Sequence, residues 1–133
     1  MKKFLNSVIV AVLTVFFVAA TAFAADLPNT GAVKGPQAHH LLDNRAELGL
    51  TIVDVRTPSE FKSGHAPGAL NIPLDQLGNR IAELPEGPVL LLCRSGKRAQ
   101  AAYEFLIMSG RSGEKLWFLA GSTDYSSGTP RFR

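Results

Sequence analysis

Cys93, the only cysteine of the chain, closes an apolar run, Val89-Leu90-Leu91-Leu92, and opens a polar turn, Arg94-Ser95-Gly96-Lys97-Arg98. Three of the five residues after the thiol are cations. The thiolate is the nucleophilic form of cysteine, and nearby positive charge or a helix N-terminus favours it. Gly96 lets the backbone curl, so that successive N–H groups can face one centre. A helix beginning near Arg98 would add N–H groups that have no partner in their own turn. Together these groups would cradle a negatively charged sulfur, phosphorus or arsenic group carried on Cys93. The plainer alternative is a small buried apolar residue, which describes most free cysteines, with Ser95 as a helix cap and Lys97 as a solvated charge. Strand end, glycine turn, cations and helix start in one place favour the reactive thiol.

Presenting Cys93 in this way requires strands that alternate with helices. The 133 residues suit one domain. Gln37 to Leu48 spaces Ala38, Leu41, Leu42 and Leu48 as a helix does, and Gly49 is a plausible stop. Leu50 to Val55 is a β-branched run of strand length. Thr57-Pro58-Ser59-Glu60 has a capping hydroxyl, a proline at the first helical position and a glutamate at the third. Gly64 and Pro67-Gly68 end that helix, and Ala69 to Ile72 predicts a second small strand. Leu74, Leu77, Ile81 and Leu84 lie three and four apart, predicting an amphipathic helix over Leu74 to Leu84. Val89 to Leu92 is continuously apolar, as a central parallel strand should be. Arg98 to Met108 predicts a helix, Leu116 to Leu119 a fourth strand, and Ser126 to Arg133 a loose tail. The pattern predicts an α/β domain with a small, mostly parallel sheet flanked by helices on both faces. In such a sheet ligands bind beyond the carboxyl ends of the strands, where Cys93 stands.

The first residues follow a different grammar. Lys2 and Lys3, a long apolar run and Ala22-Phe23-Ala24 have the order of a secretory signal peptide. Residues 1–24 are therefore expected to be removed near Ala24, residues 25–36 to form a linker, and residues 37–133 to form the domain. The run Val8 to Ala20 is shorter than the roughly 20 apolar residues of a membrane-spanning helix, so no stable membrane association is expected after cleavage. A periplasmic location is the expectation. Cleavage also removes two lysines from a chain whose net charge is only +3, and no long basic run suggests nucleic acid. An unpaired cysteine in an exported protein is either intermolecular or a free reactive thiol.

The loop Cys93-Arg94-Ser95-Gly96-Lys97-Arg98-Ala99 resembles the active-site loop of rhodaneses, sulfurtransferases that carry a persulfide on a cysteine. Asp54-Val55-Arg56 with Glu60-Phe61, and Gly64-His65-Ala66-Pro67-Gly68-Ala69-Leu70-Asn71-Ile72-Pro73, resemble the family's other signatures in the expected order. The resemblance implies a rhodanese-like fold and a Cys93 that takes sulfane sulfur from a small anionic donor. The N–H groups of residues 94–98 would bind the sulfur, and cyanide or a thiol would accept it. Arg94, Ser95, Gly96, Lys97 and Arg98 are thus the expected substrate-binding residues. A basic loop goes with thiosulfate in this family, and a less basic one with mercaptopyruvate. The six-residue loop from Cys93 to Arg98 is the rhodanese length, whereas the related cell-cycle phosphatases carry one residue more.

No cofactor or metal is expected, because His39 and His40 lie adjacent with no carboxylate or cysteine at ligand spacing. His65, in a Gly-Pro turn, is read as packing and hydrogen bonding. Asp54 is read as a structural ion pair or cap that could orient Arg98 or a loop N–H, and Arg56 as a partner for Glu60. A monomer is expected. The chain departs from the family near its end: Arg111-Ser112-Gly113-Glu114 is a longer link, Gly121-Ser122 replaces a double glycine, and a tryptophan-bearing last helix is not evident. Two other classes compete with the sulfurtransferase. One is an idle rhodanese module that docks to a partner, which would need neither Cys93 nor its basic loop. The other is a single-cysteine redox or arsenate-type protein, which would need an external thiol.

Overall fold

A computed structural model describes residues 27–133. The expected signal peptide and its cleavage site lie outside the described residues.

Five strands form one sheet: β1 (Gly31–Val33), β2 (Thr51–Asp54), β3 (Leu70–Asn71), β4 (Val89–Leu92) and β5 (Leu116–Leu119). Their order is β1-β5-β4-β2-β3, and every neighbouring pair is parallel. Because β4 lies between β2 and β5 and is covered on both faces, its four residues are all apolar and all buried. The pleat then divides them. Val89, Leu91 and Cys93 point to one core with Val53, Ile72, Ala102, Leu106 and Phe118. Leu90 and Leu92 point to the other with Val33, Ala38, Leu41, Ile52 and Trp117.

Helices α1 (Gly35–Asp43) and α2 (Arg45–Leu48) belong to the second face, and α4 (Lys97–Met108) to the first. Gly49 ends α2 in the left-handed conformation at φ 62°, as a C-terminal glycine does. Helix α3 (Pro58–Ser63) begins with the expected capping box: Thr57 Oγ1 accepts from Glu60 N, and Thr57 N donates to Glu60 Oε2. The chain leaves β2 toward β3 on one side and leaves β4 toward β5 on the other. The adjacent ends of β2 and β4 therefore form the crevice where connections diverge, and both Asp54 and Cys93 reach it.

Three expectations change. Leu74 to Leu84 forms two short 3₁₀ helices, Leu74–Asn79 and Ile81–Glu83, in place of one amphipathic helix. Gly78 and Asn79 weaken a helix interior, and a tighter, broken path still buries Leu77 and Leu84. The expected linker over residues 25–36 contributes β1, which pairs with β5, while Trp117 Nε1 donates to Pro28 O at 3.1 Å. The ordered fold thus begins before Gln37. The expected loose tail carries β7 (Arg131–Phe132), which pairs with β6 (Thr123–Asp124) in a hairpin and is pinned where Phe132 joins the second core beside His39.

Candidate active site

Strand β4 delivers Cys93 to the crevice, and the turn to α4 wraps its sulfur. Gly96 N lies 3.0 Å from Sγ and Ala99 N 3.4 Å, each with its N–H directed at the sulfur. Cys93 is buried, so these donors act where water does not compete with them. Gly96 takes φ 90°, and a Cβ there would lie 2.9 Å from Gly121 N and 3.0 Å from Leu119 O. Backbone cannot move aside as a flexible side chain can. Gly96→Ala is therefore expected to lower stability by about 1–3 kcal/mol, measured by urea denaturation, and to displace the Gly96 N–H from the sulfur.

The remaining loop residues divide by role. Gly96 itself caps α4, and Ser95 makes no capping hydrogen bond. Arg94, Ser95 and Lys97 are exposed. Arg94 O accepts from Thr123 N at 2.9 Å, so the hairpin is tied to the loop. Arg98, half-buried, points to Glu60 in a two-pronged pair, Nη1 to Oε2 at 2.7 Å and Nη2 to Oε1 at 2.9 Å. It fastens the start of α4 to the start of α3.

The hydrogen bonds from Arg98, aided by those from Thr57, hold the Glu60 carboxyl down from its ordinary 4.5 to about 2. A depressed carboxylate contributes stability that is complete above its unfolded value and is lost as pH falls through the folded one. The pair is partly exposed, so its worth is about 1 kcal/mol. Glu60→Gln keeps the capping geometry and should lower the urea midpoint at pH 7, a gap that narrows as pH falls from 4.5 toward 2.

Asp54 forms a structural ion pair, as expected, and its partner is Arg56, which was expected to pair with Glu60. Two residues apart at a strand end, they share one face while Val55 turns to the other. Asp54 Oδ2 lies 2.7 Å from Arg56 Nη2, Arg56 Nε reaches both carboxylate oxygens at 3.0 Å, and Arg56 N donates to Oδ1. The pair is sealed, with side chains 1% and 6% exposed for Asp54 and Arg56. Arg56 Nη2 also donates to Gly64 O.

Above the guanidinium lies a residue that no motif announces. The ring of Tyr125 sits 3.6 Å from Arg56 Cζ, and its hydroxyl donates to Cys93 O at 3.2 Å. Burial, with the Asp54 charge, raises the Tyr125 hydroxyl well above its ordinary range and keeps it a donor. His65 packs as expected, stacked on Phe61 at 3.7 Å with Nδ1 against Phe61 O. Among the described residues no group of three or more His, Cys, Asp or Glu is arranged to hold a metal ion.

Comparison with known proteins places this geometry. Residues 37–125 match the family model described as the rhodanese-like domain. A protein named sulfurtransferase, from Allochromatium vinosum, is 38% identical over 60 residues, 44% of this chain and 56% of that one. The thiosulfate sulfurtransferase GlpE of Pseudomonas aeruginosa is 31% identical over 100 residues, 69% of this chain and 87% of its own. The chain spans 31–59% of the length of four of the curated relatives that it matches, the Allochromatium protein among them. In fold it resembles a crystallised rhodanese-like domain protein from Staphylococcus aureus, with a TM-score of 0.59 and 22% identity over 69% of this chain and 86% of that one.

Proposed function

This chain belongs to the rhodanese-like domain family, and from that premise we propose that it is a thiosulfate sulfurtransferase acting through a Cys93 persulfide. The observation that carries the reading is the Cys93 sulfur held by the Gly96 and Ala99 N–H groups at the end of a central strand. The Cys93 thiolate attacks the outer sulfur of thiosulfate. The sulfur–sulfur bond of the donor breaks, and sulfite leaves with the electron pair. The outer sulfur of the resulting persulfide is anionic, and fixed backbone N–H dipoles stabilise that charge without reorganising. Cyanide then attacks this sulfur, thiocyanate departs, and the Cys93 thiolate returns. A thiol acceptor does the same and leaves as its own persulfide.

Arg94 and Lys97, exposed at the rim, attract the dianionic donor and support thiosulfate over a less charged one. Arg98 acts through position, since Glu60 occupies its guanidinium. We place the reaction in the periplasm, because the order of residues 1–24 is that of an exported protein.

The experiment is thiocyanate formation from thiosulfate and cyanide by the purified protein, with mercaptopyruvate as the competing donor. Turnover that favours thiosulfate is the expected result. A folded protein that uses only mercaptopyruvate would overturn the donor, and one that uses neither would overturn the reaction.

A further inference from the structure

The turn that carries Cys93 is held from two sides. Gly96 N and Ala99 N face the sulfur from within. From without, the C-terminal hairpin takes the carbonyls of two consecutive residues: Tyr125 Oη donates to Cys93 O at 3.2 Å, and Thr123 N donates to Arg94 O at 2.9 Å. Cys93 stands one residue past β4, whose last registered pair with β2 is Leu92 with Asp54, so its carbonyl has left the ladder and needs another donor. A trans peptide is planar, and its N–H points opposite to its carbonyl. Fixing Cys93 O and Arg94 O therefore also fixes the directions of the Arg94 and Ser95 N–H groups, which turn away from the hairpin.

Tyr125 is itself held in place. Its ring lies 3.6 Å from Arg56 Cζ, a cation–π contact. That guanidinium is fixed by both Asp54 oxygens and by Gly64 O. A Cβ on Gly64 would lie 3.0 Å from Tyr125 O, so the glycine lets the two segments pass closely. Thr123, buried on the same hairpin, offers its hydroxyl to the Tyr125 oxygen, which leaves the phenol proton for Cys93 O. Asp54 at the end of β2 is thus joined through Arg56 and Tyr125 to Cys93 at the end of β4.

We propose that Tyr125 is a positioning residue for sulfur transfer, and that its hydroxyl holds the first peptide of the cysteine loop still while negative charge moves from the Cys93 sulfur to the outer sulfur. The proposal rests on the sulfurtransferase reading. When the Cys93 thiolate bonds to the outer sulfur of thiosulfate, the sulfur–sulfur bond of the donor breaks and sulfite leaves with the electron pair. The charge now sits one atom further from the N–H groups of Gly96 and Ala99. Dipoles stabilise such a charge most when they need not turn as it develops. Tyr125 touches neither sulfur. It acts through the Cys93 carbonyl, so its loss should slow the chemical step and leave the exposed cations Arg94 and Lys97 free to collect the donor.

Two measurements compare wild type, Tyr125→Phe and Trp117→Phe. Tyr125→Phe keeps a ring over Arg56 and removes the hydroxyl. Trp117→Phe removes a hydrogen bond of the same kind, to Pro28 O, in the second core away from the cysteine. In thiocyanate formation with thiosulfate varied, Tyr125→Phe should lower kcat roughly 3- to 10-fold, the equivalent of one neutral hydrogen bond, with KM for thiosulfate within twofold of wild type. Trp117→Phe should lower the urea midpoint and leave kcat within twofold. Amide hydrogen exchange of the peptide spanning residues 93–99, read by mass spectrometry, reports on the loop in the absence of turnover. It should be faster in Tyr125→Phe than in either other protein. Faster exchange there supports the clamp even where wild type forms no thiocyanate and the reaction is wrong. A kcat within twofold of wild type in an active Tyr125→Phe, or loop exchange no faster than in Trp117→Phe, would overturn the proposal.

Discussion

Cys93→Ala is expected to reduce thiocyanate formation to the uncatalysed background, a loss of at least roughly 10³-fold, while the protein remains folded. The magnitude follows from the chemistry. Without the thiolate there is no covalent carrier, and the N–H cradle has nothing on which to hold sulfur. Cys93→Ser tests the same point more strictly, because a hydroxyl keeps the shape of the site and loses the sulfur nucleophile. Cys93 is buried in a packed core, so either variant is compared with wild type by circular dichroism and urea midpoint at the same protein concentration. Residual turnover in a folded Cys93→Ala would contradict the persulfide route. A docking module would show no turnover in wild type at all, and a redox protein would reduce its substrate without releasing thiocyanate.

The largest effect on stability is expected at Asp54. Replacing it by asparagine leaves the Arg56 guanidinium, whose side chain is 6% exposed, as an uncompensated buried charge. Breaking such a pair costs about 3–5 kcal/mol, a large share of the roughly 5–15 kcal/mol that a domain has in total. The loss should not remain local. Arg56 also holds Gly64 O and supports the Tyr125 ring, whose hydroxyl bonds the Cys93 carbonyl. Asp54→Asn should therefore lower the urea midpoint and disturb the site together. Removing both charges, as in Asp54→Leu with Arg56→Met, should recover much of the stability, since a well-packed apolar pair of similar volume is often no worse than a buried ion pair. A single substitution costing less than about 1 kcal/mol would show that water reaches the pair.

What the residues revealed beforehand, and what they concealed, follows from how local each signal is. The capping box from Thr57 to Glu60, the glycine that ends α2, and the apolar run into Cys93 are short-range patterns, and the structure forms each of them. The turn from Cys93 to Arg98 likewise states its own geometry through Gly96. Ion-pair partners are a long-range matter. Glu60 reaches Arg98 across 38 positions, which no spacing announces, and Arg56 looked free to take Glu60 until the pleat placed it beside Asp54.

Strand β1 escaped notice because three residues framed by glycine and proline carry no periodicity, and only pairing with β5 makes them a strand. Tyr125 and the hairpin escaped for the same reason. Their partners lie on the cysteine loop and on α1, and the glycine and proline of the tail read as a loose end when they are turns. The segment from Leu74 failed differently: its period was correct, but Gly78 and Asn79 made the continuous helix a poor choice beside two tighter turns.

Incubation of the purified protein with thiosulfate in the absence of any acceptor, followed by intact-mass spectrometry, tests the central claim most directly. Because the chain contains one cysteine, a single added sulfur has only one thiol to occupy. The account predicts a mass increase of one sulfur atom, release of one equivalent of sulfite, and loss of the added mass when cyanide is supplied. An unchanged mass, or an added sulfur that cyanide cannot remove, would contradict it.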